Sequence, residues 1–143
     1  MPCSSMSPTV IFNADSGAVE GVIGSPGGSA IIQYVTKSLV GLIDWRLDLQ
    51  QAINLPNFGA QTNATTSLEK GSLLDHAALR DSLSARGHSV TASASFVSGL
   101  HGIVFNGWRA DGSAGLLAHN PAAGVYAGAA DPRREGIAQG NNR

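Results

Sequence analysis

A chain of 143 residues with 43% hydrophobic residues is long enough to bury roughly 70% of the surface its unfolded form exposes, which implies one globular domain over residues 1–143. Nine Lys and Arg against ten Asp and Glu give a formal net charge of −1, with no basic run or acidic tail, which excludes nucleic acid as an expected partner. The single cysteine, Cys3, excludes an internal disulfide, and the longest apolar-biased stretch, Ala30 to Trp45, is too short and too interrupted by Gln33, Lys37 and Asp44 to span a bilayer.

Thr9 to Phe12 and Val19 to Ile23 are short β-prone runs flanking the turn cluster Asn13-Ala14-Asp15-Ser16-Gly17, a pattern that predicts a hairpin. Gly24-Ser25-Pro26-Gly27-Gly28-Ser29 follows, and the periodicity then becomes helical. Ile31, Ile32, Val35, Leu39, Leu42 and Ile43 share one face, with Gln33, Lys37 and Asp44 opposite, which predicts an amphipathic helix packed on a sheet. A shorter helix is expected from an N-cap at Asp48 to a stop before Pro56. Gly59 to Ser67 is polar and reads as a loop. Ser72 and Asp75 fit a capping box for a helix over 73–86, with Gly87 as the residue beyond its end. Three further strands are expected at Ser89 to Ala92, Gly102 to Phe105 and Val125 to Ala129. Residues 106–124 read as a surface excursion and 137–143 as a frayed tail. Hairpin, helices and later strands together indicate an α+β fold or a piece of a larger layered one.

Glycines in a strand-to-helix loop let the backbone turn sharply and approach a ligand, and the unpaired N–H groups of a helix start favour negative charge. Gly24 to Ser29 can therefore hold a carboxylate, a phosphate or a developing oxyanion. The same loop can equally be a tight connection in which Gly27 and Gly28 only permit the turn. It matches neither a P-loop nor a dinucleotide fingerprint. Ser4 and Ser5 offer two hydroxyls that can anchor a carboxylate without adding charge, or they form a plain polar terminus. His76, His88, His101 and His119 lack metal-ligand spacing, so neither a metal nor another cofactor is expected. His101, between Gly99 and Gly102, reads as structural. Asp131-Pro132-Arg133-Arg134-Glu135 reads as a solvated corner closing the last strand.

Three of these pieces carry a family resemblance. Pro2-Cys3-Ser4-Ser5-Met6-Ser7-Pro8-Thr9 resembles the P-x-S-S-M-S-P-T segment of γ-glutamyltransferases, and Gly24-Ser25-Pro26-Gly27-Gly28-Ser29 resembles their G-S-P-G-G-S loop. Gly128-Ala129-Ala130-Asp131-Pro132-Arg133-Arg134-Glu135-Gly136 resembles their closing stretch. Shorter agreements lie at Asp44-Trp45, Ala52 to Pro56, Leu68-Glu69, Gly87-His88 and His101-Gly102, so the resemblance runs from Pro2 to about Gly140.

The resemblance implies an N-terminal-nucleophile hydrolase fold of α-β-β-α layers, of which this chain is the C-terminal portion of the small subunit. It implies transfer of the γ-glutamyl group of glutathione and related amides to water, amino acids or peptides. The expected partners are γ-glutamyl substrates, the large subunit and the remainder of the small subunit. Carried over by motif, Ser4 and Ser5 bind the α-carboxylate, and the N–H groups of Gly27 and Gly28 form the oxyanion hole. The family's nucleophilic threonine lies upstream of the serine pair, where this chain has only Met1, Pro2 and Cys3. Thr9 belongs to another motif, so the chain is expected to be inactive alone. Residues 107–124 resemble an insertion, and a periplasmic or extracellular location is what the family suggests. Two other readings stay open: a non-catalytic remnant whose loop binds anions or a partner, and an acyl-amide acylase of the same superfamily.

Overall fold

The computed structural model of the chain describes residues 5–60, 65–94, 96–105 and 126–139. They fall into two compact units, one formed by Met1–Leu55 with Val97–Arg143 and one by Pro56–Phe96. Strands and helices mix in both, as the α+β reading expects. The surface excursion expected at 106–124, residues 140–143 of the expected tail, Cys3, Ser4 and His119 lie outside the described residues. No described helix is long and apolar enough to cross a membrane.

In the first unit an antiparallel sheet runs in the order β1 (Thr9–Phe12), β2 (Val19–Gly24), β6 (His101–Phe105) and β7 (Tyr126–Ala130). The β1–β2 turn is held by the Asn13 side chain, whose Oδ1 accepts from the Asp15 and Ser16 N–H groups at 3.1 and 2.9 Å. Gly17 takes φ 69° there, a left-handed conformation that favours glycine. The hairpin is thus the one its turn chemistry predicts. Beyond β2, helix α1 (Ile31–Ile43) and helix α2 (Leu49–Asn54) pack on each other, and Ile23, Ile31, Tyr34, Val35, Leu42, Leu49, Ala52, Ile53, Val104 and Ala129 form the core. Each such large apolar side chain contributes roughly 1.5–3 kcal/mol on burial.

Helix α2 starts as expected. The Asp48 side chain accepts from the Gln51 N–H and Gln51 returns the bond, a reciprocal capping box. Helix α1 has the expected extent and buries Ile31, Val35 and Leu42 of the expected face, but the face is turned from the one expected. Tyr34, Lys37, Ser38 and Gly41 are buried, while Ile32 and Ile43 are 53% and 42% exposed. Two contacts turn the helix. A Cβ on Gly41 would sit 2.9 Å from Leu55 Cδ1 and 3.1 Å from Ala52 Cβ, so the glycine lets α2 approach. The Lys37 ammonium donates to the carbonyls of Ile53 (3.2 Å) and Leu55 (2.6 Å) at the end of α2, where unpaired carbonyls and the negative end of the helix dipole favour a cation.

The second unit departs more from its sequence reading. The stretch read as a polar loop contains β3 (Phe58–Ala60) and β4 (Thr65–Glu69), paired antiparallel. Helix α3 (Ala77–Ala85) then connects β4 to β5 (Ser89–Ser93), which lies parallel to it. Thr66 and Leu68 alternate into the core, and β-branched threonines suit a pleated strand. Ser72 and Asp75 do not cap α3. Ser72 forms a turn, donating from Oγ to Glu69 O at 2.7 Å, and the cap is His76, whose Nδ1 accepts from the Leu79 N–H at 3.2 Å. Gly87 follows the helix with φ 91°, as expected of a residue beyond a helix end.

The closing segment is not a solvated corner. Asp131 is fully buried. Its Oδ2 accepts from Ser98 Oγ at 2.6 Å and from the Leu100 N–H at 3.2 Å, and its Oδ1 accepts from the Arg133 N–H at 3.0 Å and Arg133 Nη1 at 3.1 Å. Burial alone would raise this carboxyl, but the bonds from Ser98, the Arg133 and Leu100 N–H groups and the Arg133 guanidinium together hold it below its ordinary value. Arg133 is anchored in turn on Ile53 O and Leu55 O, at 3.4 and 3.1 Å, the same carbonyls that Lys37 holds. Removing one partner of such a group leaves a buried charge unpaired, at a cost of about 3–5 kcal/mol. Asp131→Asn is therefore expected to lower stability to urea at pH 7 by about that amount. A depressed carboxyl contributes stability above its unfolded value, near 3.8, and loses it as the pH falls through the lower folded value. The stabilities of the two proteins should therefore differ at neutral pH, begin to approach each other only below about pH 4, and converge below the lowered folded value.

Candidate functional site

Strand β2 ends at Gly24, paired with His101 of β6. The chain then turns through Ser25, Pro26 and Gly27 into a short 3-10 turn, Gly28–Ala30, that leads without a break into α1. Gly27 has φ 144° and Gly28 φ 61°. Two consecutive residues in conformations that L side chains rarely adopt explain why both positions are glycine. Gly27 has a second reason. A Cβ there would lie 2.5 Å from Cε2 of the buried Tyr34 ring and 3.1 Å from Cδ2, so the loop is folded down onto the first turn of α1. The Ala30 N–H closes the turn on Gly27 O at 3.2 Å.

The structure brings the serine motif to this loop. The Ser5 N–H donates to Gly28 O at 3.1 Å, and Ser7 Oγ donates to Ser5 O at 3.0 Å. The chain before β1 therefore lies along the second glycine, and the start of α1 carries no acidic side chain to neutralise its first turn. A partly covered helix start with extra N–H groups from a glycine turn is a place where negative charge is stabilised. Ser4, the other half of the motif, lies outside the described residues.

The remaining sequence candidates are not drawn to this place as ligands. His101 is exposed, shares a hydrogen bond between Nδ1 and Gly99 O at 2.9 Å, and packs so closely on Gly136 that a Cβ there would meet its ring. His76 caps α3, and His88 Nδ1 bonds Thr66 Oγ1 at 3.0 Å. No cluster of three or more metal-ligating side chains occurs among the described residues. What the sequence reading missed is the contact of the closing segment with the loop. Ser25 Oγ donates to Pro26 O at 2.8 Å and accepts from the Gly99 N–H at 3.1 Å, and Gly99 is followed by a residue bonded to Asp131. A signal was available: the aspartate directly follows the segment expected to be the last strand, where a strand leaves a core.

The family model for gamma-glutamyltranspeptidase matches residues 1–141. The chain belongs to the gamma-glutamyltranspeptidase family. Within and around this family, it is 27% identical over 141 residues to the glutathione hydrolase proenzyme of Bacillus subtilis (strain 168), covering 99% of this chain and 21% of that protein. It is 30% identical over 119 residues to the acylase ACY 1 proenzyme of Pseudomonas sp. (strain SE83), covering 77% of this chain and 20% of that protein. A solved mutant gamma-glutamyltranspeptidase of Helicobacter pylori superposes with a TM-score of 0.74 at 27% identity, over 93% of this chain and 63% of that one. The chain thus spans about a fifth of these two curated relatives. The gamma-glutamyltranspeptidase resemblance of the motifs and the α+β architecture are both sustained by these matches.

The packing of Gly27 makes a specific prediction. Gly27→Ala must move Tyr34 and hold an unfavourable φ, and such overpacking costs about 1–3 kcal/mol. Gly24→Ala meets nothing within 4 Å and is expected to cost less than about 1 kcal/mol. Urea unfolding of the two single variants checks the difference.

Proposed function

We propose that this chain supplies half of an acyl-transfer site: Gly27 and Gly28 as backbone oxyanion donors, and Ser4 and Ser5 as the anchor for the α-carboxylate of a γ-glutamyl group. The observation that supports it is the Ser5 N–H bond to Gly28 O, because it sets the two motifs side by side without any other element intervening. The reaction is transfer of a γ-glutamyl group, as from glutathione, to water, an amino acid or a peptide. A nucleophile adds to the γ-carbonyl, and the oxygen that becomes negative is stabilised by N–H donors fixed before the reaction starts. Losing one such donor typically costs about 2.7–4 kcal/mol of barrier. Two serine hydroxyls hold the α-carboxylate without a counter-charge, so the substrate is positioned by hydrogen bonds rather than by an ion pair.

The covalent step belongs to a nucleophile that this reading does not assign to any residue of the chain, and the large subunit and remainder of the small subunit are the proposed partners. A purified 143-residue chain is accordingly expected to release no chromogenic amine from a γ-glutamyl anilide. In the enzyme assembled with those partners, Ser5→Ala removes a hydrogen bond to a charged group, worth about 1.5–3 kcal/mol. It should therefore lower kcat/KM for the anilide by roughly 10- to 150-fold, with folding unchanged. Turnover by the chain alone, or a Ser5→Ala enzyme of full efficiency, would reject the proposal.

A second reading has an observation of its own, the 30% identity to an acylase over 77% of the chain. In that case the oxyanion donors serve the same step and the acyl group need not carry an α-amino acid end. A butyryl anilide, which lacks both the α-carboxylate and the amine, separates the two. The γ-glutamyl reading predicts that it is a far poorer substrate than the γ-glutamyl anilide, and the acylase reading predicts the reverse.

A further inference from the structure

The oxyanion loop and the closing Asp-Pro-Arg-Arg segment are far apart in the sequence but joined in the structure by a short chain of contacts. The Asp131 carboxylate holds Ser98 through Oγ at 2.6 Å and Leu100 through its N–H at 3.2 Å. The Asp131 N–H also donates to Leu100 O at 2.8 Å. These bonds bracket Gly99, the residue between. Gly99 has no room for a side chain: a Cβ there would lie 2.8 Å from Arg134 Cδ and 2.9 Å from Pro26 Cγ. Arg134 is itself fixed, its Nε donating to Val97 O at 3.1 Å. The Gly99 N–H then donates to Ser25 Oγ, which donates onward to Pro26 O. Pro26 immediately precedes Gly27.

We propose that Asp131 is a positioning residue for the loop: through Ser98 and Leu100 it clamps Gly99 against Ser25 and Pro26, and so sets where the Gly27 and Gly28 N–H groups point. The physical case is one of preorganisation. Gly27 and Gly28 have broad conformational freedom of their own, and fixing a backbone costs conformational entropy. Donors that stabilise charge only in the transition state must be held in place before it forms. Tyr34 supports the loop from the α1 side; the Gly99 clamp supports it from the β6 side. Asp131 can act as a rigid post because its own position is fixed by Arg133, which is anchored on the carbonyls that end α2. The functional meaning of the clamp rests on the oxyanion reading of Gly27 and Gly28, whereas the clamp itself does not.

The test measures loop order in the chain without any ligand. Backbone 15N relaxation at Gly27, Gly28 and Gly99 is compared in the unsubstituted chain and in Ser25→Ala, Ser25→Thr, Asp131→Asn and Leu42→Ala. Ser25→Ala removes only a hydroxyl outside the core, so it keeps the test open even where Asp131→Asn fails to fold. Leu42→Ala, a core change on α1, controls for general loss of stability. The unsubstituted loop is expected to be near the rigid order parameter of about 0.85. Ser25→Ala and Asp131→Asn should drop Gly27 and Gly28 toward or below about 0.6, with Ser25→Thr restoring order and Leu42→Ala leaving it unchanged. A loop as rigid in Ser25→Ala as in the unsubstituted chain overturns the proposal, and so does equal loosening in Leu42→Ala. If the loop loosens but the same substitutions leave kcat untouched in the assembled enzyme, the clamp stands and the oxyanion reading falls.

Discussion

One buried carboxylate organises the larger unit. Asp131 has no exposed surface, and an ionised carboxylate in such a place is tolerated only when its oxygens are fully engaged. Two of the bonds it accepts come from the segment leading into β6, a hydroxyl and an N–H, and two from Arg133 just beyond β7, an N–H and the guanidinium. The guanidinium then reaches α2 and meets there the ammonium of α1. Strand ends, helix ends and loop are therefore joined through groups that cannot be loosened one at a time, because each release strands a charge or a carbonyl in the interior.

That network also explains which parts of the fold were legible in the sequence. The β1–β2 hairpin and the cap at Asp48 are local: Asn13 with Gly17, and Asp48 with Gln51, satisfy backbone groups within a few residues, so composition and spacing suffice. The extent of α1 is legible for the same reason, from apolar periodicity bounded by a glycine loop. Its buried face is legible only in part, through Ile31, Val35 and Leu42, because Lys37 and Gly41 are buried by what lies opposite them, two carbonyls and the side chains of Ala52 and Leu55. Propensity gives a cation and a glycine to solvent; tertiary contacts overruled it. The strands β3 and β4 escaped notice because threonine and serine read as loop when their partners, with α3 between β4 and β5, are not yet in view. His76 capped α3 in place of Ser72 because Ser72 was already used by the preceding turn.

The candidate site divides along the same line. The glycine loop and the serine pair were visible as motifs, since chemistry and backbone geometry demand those residue types at those places. Their adjacency was not visible, and it rests on one backbone bond between Ser5 and Gly28. Nor was the support of the loop visible: an aspartate and a serine far apart in sequence do not announce that they bracket the glycine that abuts Pro26. Both γ-glutamyl transferases and acylases need stabilisation of a negative oxygen, so the glycine loop is the part of the site that family members of either kind can share. On the proposed reading, the choice of acyl group falls on the carboxylate anchor instead.

The central claim, that the serine pair and the glycine loop hold opposite ends of one γ-glutamyl group, is tested most directly by a crystal structure of the assembled enzyme with glutamate bound. The account predicts the α-carboxylate on the hydroxyls of Ser4 and Ser5. It also predicts a γ-carboxylate oxygen at a hydrogen-bond distance of about 2.7–3.1 Å from the N–H groups of Gly27 and Gly28. Glutamate bound with its α-carboxylate at the glycines, or at a place touching neither motif, would contradict it.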